Sequence, residues 1–223
     1  MATIPGDSWF SRFLYTGIVA LAYYAGAKMG LAYAVVGGAI SLVWPSSGIA
    51  LVAVLALGNE VAPGIAIGSF LANVSGGVPL PVAAVIGTGS MIAPLSAAIV
   101  LTRATRFQIT LDRVNDVLAF IGFAALMSTA VSALVGTTAL LGGGLVPATG
   151  YVAAFLTWWL GDMMGVLVVA PPLFSFLTYS NPVHSAGHFM EACALTIATF
   201  WVSYKSRRAK LQAFRNGNSK SCT

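Results

Sequence analysis

Asp162 lies in an apolar stretch, residues 151–177, that carries no other charge; the local sequence is Trp158-Trp159-Leu160-Gly161-Asp162. An ionised carboxylate at the centre of a membrane helix costs roughly 2.5–3.5 kcal/mol on insertion scales. Its presence implies compensation inside a helix bundle or a wet cavity. On a helix, Trp158 and Trp159 precede Asp162 by one turn and Gly165 follows it by one turn, so two indoles flank the carboxylate beside a glycine gap. Such a set can hold a cation, wall a pocket around a protonatable switch, or act as a polar lock between helices.

A second constellation is Trp44-Pro45-Ser46-Ser47-Gly48-Ile49-Ala50. Proline in the first helical turn sacrifices no hydrogen bond, so the sequence predicts a helix that starts at Pro45. Ser46 and Ser47 can satisfy the free amides of that turn, and its positive end can face an anion or a polar ligand. Trp44 supplies a flat apolar wall with one donor; its plainer role is an interfacial anchor. A third is Pro63-Gly64-Ile65-Ala66-Ile67-Gly68-Ser69-Phe70-Leu71-Ala72-Asn73, where small residues mark one close-packing face and Asn73 offers polar groups to a neighbouring helix. Gly26-x-x-x-Gly30, Gly64-x-x-x-Gly68 and Gly161-x-x-x-Gly165 carry the same close-approach signal.

In Asp112-Arg113-Val114-Asn115-Asp116-Val117, Asp112 or Asn115 is placed to cap a helix. His184 and His188, with Glu191 beyond, have a spacing that would ligate a metal on a helix, but Asn181-Pro182 and Gly187 argue for a solvated connection. No metal or other cofactor is called for, and no nucleophile–base set or catalytic dyad makes a case for an enzyme.

The elements that must position these residues are membrane helices. Hydrophobic residues make up 58% of the chain and charged residues 8%, against about 25% charged in soluble domains; mean hydropathy is +0.88. The 24 glycines and 10 prolines fit membrane helices, which tolerate both. Cys193 and Cys222 read as free thiols rather than a disulfide framework. The polar stretch 1–8 lacks a positive n-region and the following apolar run reads as a first span, not a cleaved leader. Apolar segments fall at 9–27, 31–43, 46–58, 63–75, 80–101, 114–135, 151–177 and 189–204. The expectation is therefore an all-α polytopic integral membrane bundle with about 6–8 hydrophobic segments, short or broken helices among them. Segments 31–43 and 46–58, parted only by Trp44-Pro45, would form one long broken helix or a re-entrant pair around a cavity.

Arg103, Arg106 and Arg113 place the loop 102–113 in the cytoplasm. The glycine-rich stretch 136–150 suits the outer face, and Pro171-Pro172 should kink or end its helix. The basic residues after Tyr204 also favour the cytoplasm, whereas alternating spans carry that tail outside. The conflict is relieved if one segment does not cross or if a further span follows the last residue.

Together these motifs resemble the MASE1 family of bacterial membrane-associated sensor domains. The match is carried by Ala27-Lys28-Met29-Gly30-Leu31-Ala32, by Trp44 to Leu51, by Pro63 to Asn73, by Arg113 to Val117 and by Trp158 to Leu167, over roughly residues 9–204. The resemblance implies a multi-pass sensory domain of the bacterial inner membrane, usually placed before a histidine kinase, a diguanylate cyclase or a phosphodiesterase. It divides the chain into a sensor domain at 1–204 and a disordered basic tail at 205–223. The motif positions that map onto it are Trp44, Pro45, Ser46, Gly48, Asn73, Trp158, Gly161 and Asp162, taken together as a ligand site. The chain carries no kinase or cyclase motif of its own, so its partners would be the bilayer and a separate kinase, cyclic-di-GMP enzyme or other membrane protein, not nucleic acid. A small transporter or substrate-capture subunit is the alternative, since broken helices and a midplane carboxylate are also transporter features; a purely structural membrane protein is a third reading.

Overall fold

The computed structural model describes residues 9–31, 34–36, 40–41 and 43–178. Within them the chain is helical. Helix α1 covers Trp9–Leu31, α2 Pro45–Leu57, α3 Ala62–Ser75 and α4 Leu80–Ala104. Helix α5 runs over Val114–Gly142 and α6 over Tyr151–Thr178. A short 3-10 turn, Asn59–Val61, joins α2 to α3, and another, Ala148–Gly150, leads into α6. Three helices among the described residues are long and apolar enough to cross a membrane: Leu80–Ala104, Val114–Gly142 and Ala148–Thr178; Pro45–Leu57 is apolar but shorter.

Several expected segments reappear nearly residue for residue, while other expectations are corrected. The stretch between α1 and α2 does not extend either helix: Ala34–Val36 and Ile40–Ser41 pair as a minimal antiparallel ladder. Of the two outcomes expected at Pro171-Pro172, an end is overturned: helix α6 continues through both prolines to Thr178. Helix α5 persists to Gly142, absorbing half of what read as an outer loop, because its serines, threonines and alanines sustain a helix before Gly143 and Gly144 stop it. The segment 189–204, the histidine pair and the basic tail fall outside the described residues.

The core is built from small residues. Alanines dominate the fully buried set, whereas Phe13, Leu21, Met127, Leu134 and Val152 are exposed on the outer face. This is the pattern expected where lipid removes the hydrophobic drive between helices and close backbone approach replaces it. Helices α1 and α3 run in the same direction: a Cβ on Gly64 would strike the Thr16 carbonyl, and one on Gly68 would meet the Ala20 carbonyl one turn on. Arg12 Nε pairs with Glu60 Oε2 at 3.0 Å at one end of this contact, and Lys28 Nζ donates to Ser75 Oγ at 3.0 Å at the other. Helix α2 lies antiparallel to α1 and parallel to α6. Gly26 and Gly30 of α1 meet Ser46 and Trp44, while Gly48 of α2 sits on the Gly165 carbonyl of α6.

The loop after α4 is not capped as the sequence suggested. Arg113 occupies the N-cap of α5 without a side-chain cap bond. Asp116 instead reaches back, its Oδ1 accepting from the Gln108 amide at 3.4 Å, while its buried Oδ2 has no hydrogen-bond partner among the described residues. Phe107, Ile109 and Leu111 of this loop pack into the apolar cluster of Phe120 and Phe174, so the end of α6 lies on the same side as the arginine loop.

Candidate functional site

Helix α2 begins inside the bundle, beside the middle of α6. The Trp44 amide donates to the Gly161 carbonyl at 2.9 Å, roughly 15 Å along α6 from its first residue at 1.5 Å per residue. Any side chain at Gly165 would collide with the Trp44 backbone. This glycine gap is why a helix start can approach Asp162, and Pro45 supplies it without an unpaired N–H. The positive end of α2 is thereby brought to a carboxylate.

Ser47 makes the direct contact: its Oγ–H donates to Asp162 Oδ1 at 2.7 Å. Ser132 of α5 and Trp158 of α6 also bring polar side-chain groups to this carboxylate, which is 3% exposed. Ser46 turns the other way, donating to the Tyr23 carbonyl of α1 at 2.8 Å. The two serines thus bridge α2 to its neighbours, one on each side, rather than capping their own helix.

The indoles are less symmetrical than the spacing suggested. Trp158 covers Gly136, where a Cβ would strike its six-membered ring, and joins the cluster of Ile86, Leu140 and Ala154. Trp159 points to α5, donating from Nε1 to the Leu126 carbonyl at 2.9 Å, and stacks on Phe155. Trp44 lies over Gly30 and directs its Nε1 at the Tyr23 hydroxyl, 3.4 Å away. Asn73 does not bridge helices through its amide: its Nδ2 donates to the Ser69 carbonyl of its own helix at 2.9 Å. Ser69 makes the bridge instead, sharing a 2.9 Å hydrogen bond with Ser90 of α4.

A cleft of about 310 Å³, its mouth included, opens between these elements. Tyr23, Ser47, Ser90, Ser128, Thr129, Ser132 and Asp162 supply its polar wall; Ala50, Leu51 and Val166 are part of its apolar wall. The interior has room for about one or two water molecules. Of the eight residues expected to form a site, Asp162 lines this cleft, while Trp44, Pro45, Ser46, Gly48, Asn73, Trp158 and Gly161 do not. Trp44, Pro45, Gly48 and Gly161 set the α2–α6 contact that holds Ser47 against the carboxylate.

Sequence reasoning missed Tyr23, Ser90, Ser128, Thr129 and Ser132 as partners of the site. Hydroxyls at 128 and 132, one turn apart in an apolar span, were the available signal. Their presentation depends on a feature the sequence does not announce: residues Phe120–Ser128 of α5 are π-helical. Such stretches recur at functional sites. Here the Leu126 carbonyl receives Trp159 Nε1, and Ser128 Oγ–H donates to the Ala124 carbonyl at 2.8 Å. Among the described residues, no group of three His, Cys, Asp or Glu side chains gathers to hold a metal.

Comparison with known proteins gives one positive finding. The model of the MASE1 family matches residues 15–206, most of the chain. No curated protein and no solved structure matches it.

Proposed function

The chain belongs to the MASE1 family of membrane-associated sensor domains, and on that premise we propose that it is a multi-pass sensory module of the bacterial inner membrane. Its input site is the cleft around Asp162, and it passes the signal to a cytoplasmic partner such as a histidine kinase or a cyclic-di-GMP enzyme. In this reading residues 1–204 form the sensor, with about 6–8 hydrophobic segments, and 205–223 a basic tail. The ligand-site set is Asp162 and Ser47 with the supporting frame of Trp44, Pro45, Ser46, Gly48, Asn73, Trp158 and Gly161.

The observation that carries the proposal is the 2.7 Å bond from Ser47 to a buried carboxylate at the start of a helix that begins within the bundle. A ligand shifts a conformational equilibrium only by its differential affinity for two states. Occupancy of the cleft changes what Ser47 and Asp162 can bond to, and α2 and α6 are in backbone contact there. Helix α6 then carries a displacement to Phe174, which packs on Phe107 of the arginine loop.

The test is the full chain expressed in cells with its genomic neighbours, as wild type and as Asp162→Asn, with membrane insertion verified. Kinase phosphorylation and cyclic-di-GMP level are the readouts. Loss of the chain-dependent change in Asp162→Asn at equal insertion is expected; an unaltered response rejects Asp162 as the input. A transporter remains the second reading, favoured by a helix start facing an intramembrane carboxylate. Saturable uptake of labelled solutes into proteoliposomes would replace the sensor reading with it.

A further inference from the structure

Asp162 has no basic counterpart among the described residues: Arg12 is engaged with Glu60, Lys28 with Ser75, and no lysine, arginine or histidine side chain reaches the carboxylate. A buried charge is expected to be paired or neutralised. Ser47, Ser132 and Trp158 donate to the carboxylate, but hydrogen bonds from neutral groups leave its charge in place. Ser128 Oγ–H is committed to the Ala124 carbonyl at 2.8 Å and Thr129 Oγ1–H to the Ala125 carbonyl at 2.5 Å. Both hydroxyls therefore have only lone pairs left to offer the cleft. Pro94 has no N–H, so the Ser90 carbonyl one turn back loses its ordinary helical partner beside the same space. The cleft thus sets acceptor oxygens beside a single carboxylate.

From this juxtaposition we propose that the cleft binds a single hard monovalent cation of about sodium's size, held by Asp162 with Ser128, Thr129 and the oxygen atoms of Ser47 and Ser90. The water-sized interior suits a bare or singly hydrated ion and is too small for an organic cation. A calcium ion takes 6–8 oxygen ligands, several of them commonly carboxylates, and a magnesium ion keeps its waters; one carboxylate among hydroxyls matches neither. A monovalent ion neutralises Asp162 and leaves no net charge in the bundle. Ser47 still donates its proton to Oδ1 while its lone pairs turn to the ion, so occupancy ties α2 and α5 to α6 through one centre.

The identity of the ion deepens the sensory reading and rests on the same site, yet its test does not need a signalling output. The purified full chain in lipid nanodiscs is titrated with sodium chloride, potassium chloride or choline chloride at constant ionic strength. Thermal unfolding and sodium-23 relaxation are measured together. Sodium should raise the unfolding midpoint saturably, as a ligand of the folded state must, with a smaller rise in potassium and none in choline. Thr129→Val keeps the side-chain shape and removes one ligand; it should weaken the sodium midpoint about tenfold or more, in line with a lost bond to a charged group. Asp162→Asn should abolish the sodium effect. Equal shifts in all three salts overturn the proposal, as does a sodium response that survives in Thr129→Val and Asp162→Asn alike. A midpoint that follows pH but not sodium also overturns it. If Asp162→Asn does not fold, Thr129→Val decides. Sodium binding that leaves kinase and cyclic-di-GMP readouts unchanged supports the cation site and rejects the sensory reading.

Discussion

Two adjacent serines separate structural support from function in this molecule. Ser46 donates to the Tyr23 carbonyl and Ser47 to Asp162, so neighbouring residues of one helical turn hold different helices. Ser46→Ala removes a neutral hydrogen bond and should lower stability by about 0.5–1.5 kcal/mol. Ser47→Ala removes a hydrogen bond to a carboxylate and should cost about 1.5–3 kcal/mol. Unfolding in detergent measures both. The functional readouts should divide more sharply: Ser47→Ala should impair the cellular response as Asp162→Asn does, while Ser46→Ala retains it. Equal impairment by the two serine variants would mean that α2 placement, rather than the Ser47–Asp162 bond, is what the response depends on. Asp162 was conspicuous in the sequence because a lone charge in an apolar span needs no structural context to stand out. Ser128 and Thr129 were not, since hydroxyls are tolerated almost anywhere in a helix and gain meaning only from what faces them.

At the scale of elements, glycine sets the geometry. The boundaries of α2 and α3 and the starts of α4 and α6 were legible because proline and glycine mark them directly. The Gly64/Gly68 and Gly161/Gly165 spacings correctly signalled close approach, at Gly161 through the bond its carbonyl accepts from the Trp44 amide. Which helix each approaches was not legible, because a small-residue face carries no label for its partner. Nor was the π-helical stretch of α5, one carbonyl of which accepts the Trp159 indole. Gly165→Ala should therefore drive α2 from α6 through a clash with the Trp44 backbone. The expected destabilisation is about 1–3 kcal/mol or more. Gly17→Ala, where nothing lies within 4 Å, should be neutral or stabilising by up to about 1 kcal/mol. Comparable losses at both positions would disprove the close contact. Asp116 makes a second element-scale case. Its carboxylate fastens the loop at Gln108, so Asp116→Ala should speed tryptic cleavage after Arg106 in the folded protein; unchanged cleavage would show that Phe107 and Leu111 alone hold the loop.

For the whole molecule, the directions of the helices turn a charge rule into a testable orientation. Helix α4 ends at the arginine loop, α5 returns from it, and α6 comes back to end beside Phe107. The turn 143–147 lies at the opposite end, where Gly143 meets Val82 near the start of α4. Short loops rich in arginine stay in the cytoplasm. The inferred orientation therefore puts Arg103, Arg106 and Arg113 inside, Leu145 outside, and the end of α6 inside. That is also the face on which the proposed cytoplasmic partner would receive the signal. With Cys193 and Cys222 replaced by serine, Leu145→Cys should react with a membrane-impermeant maleimide in intact cells. Arg106→Cys should react only after permeabilisation. Both positions are on exposed or loop backbone, Leu145 at 47% exposure, so accessibility rather than burial decides the result. The reverse pattern would place the arginine loop outside and detach the Phe107–Phe174 contact from any cytoplasmic output. Labelling of both positions in intact cells would show that 114–142 does not cross. The Asp162 cleft would then lie in a bundle that does not span the membrane, where a signal could not pass along α6 from one face to the other.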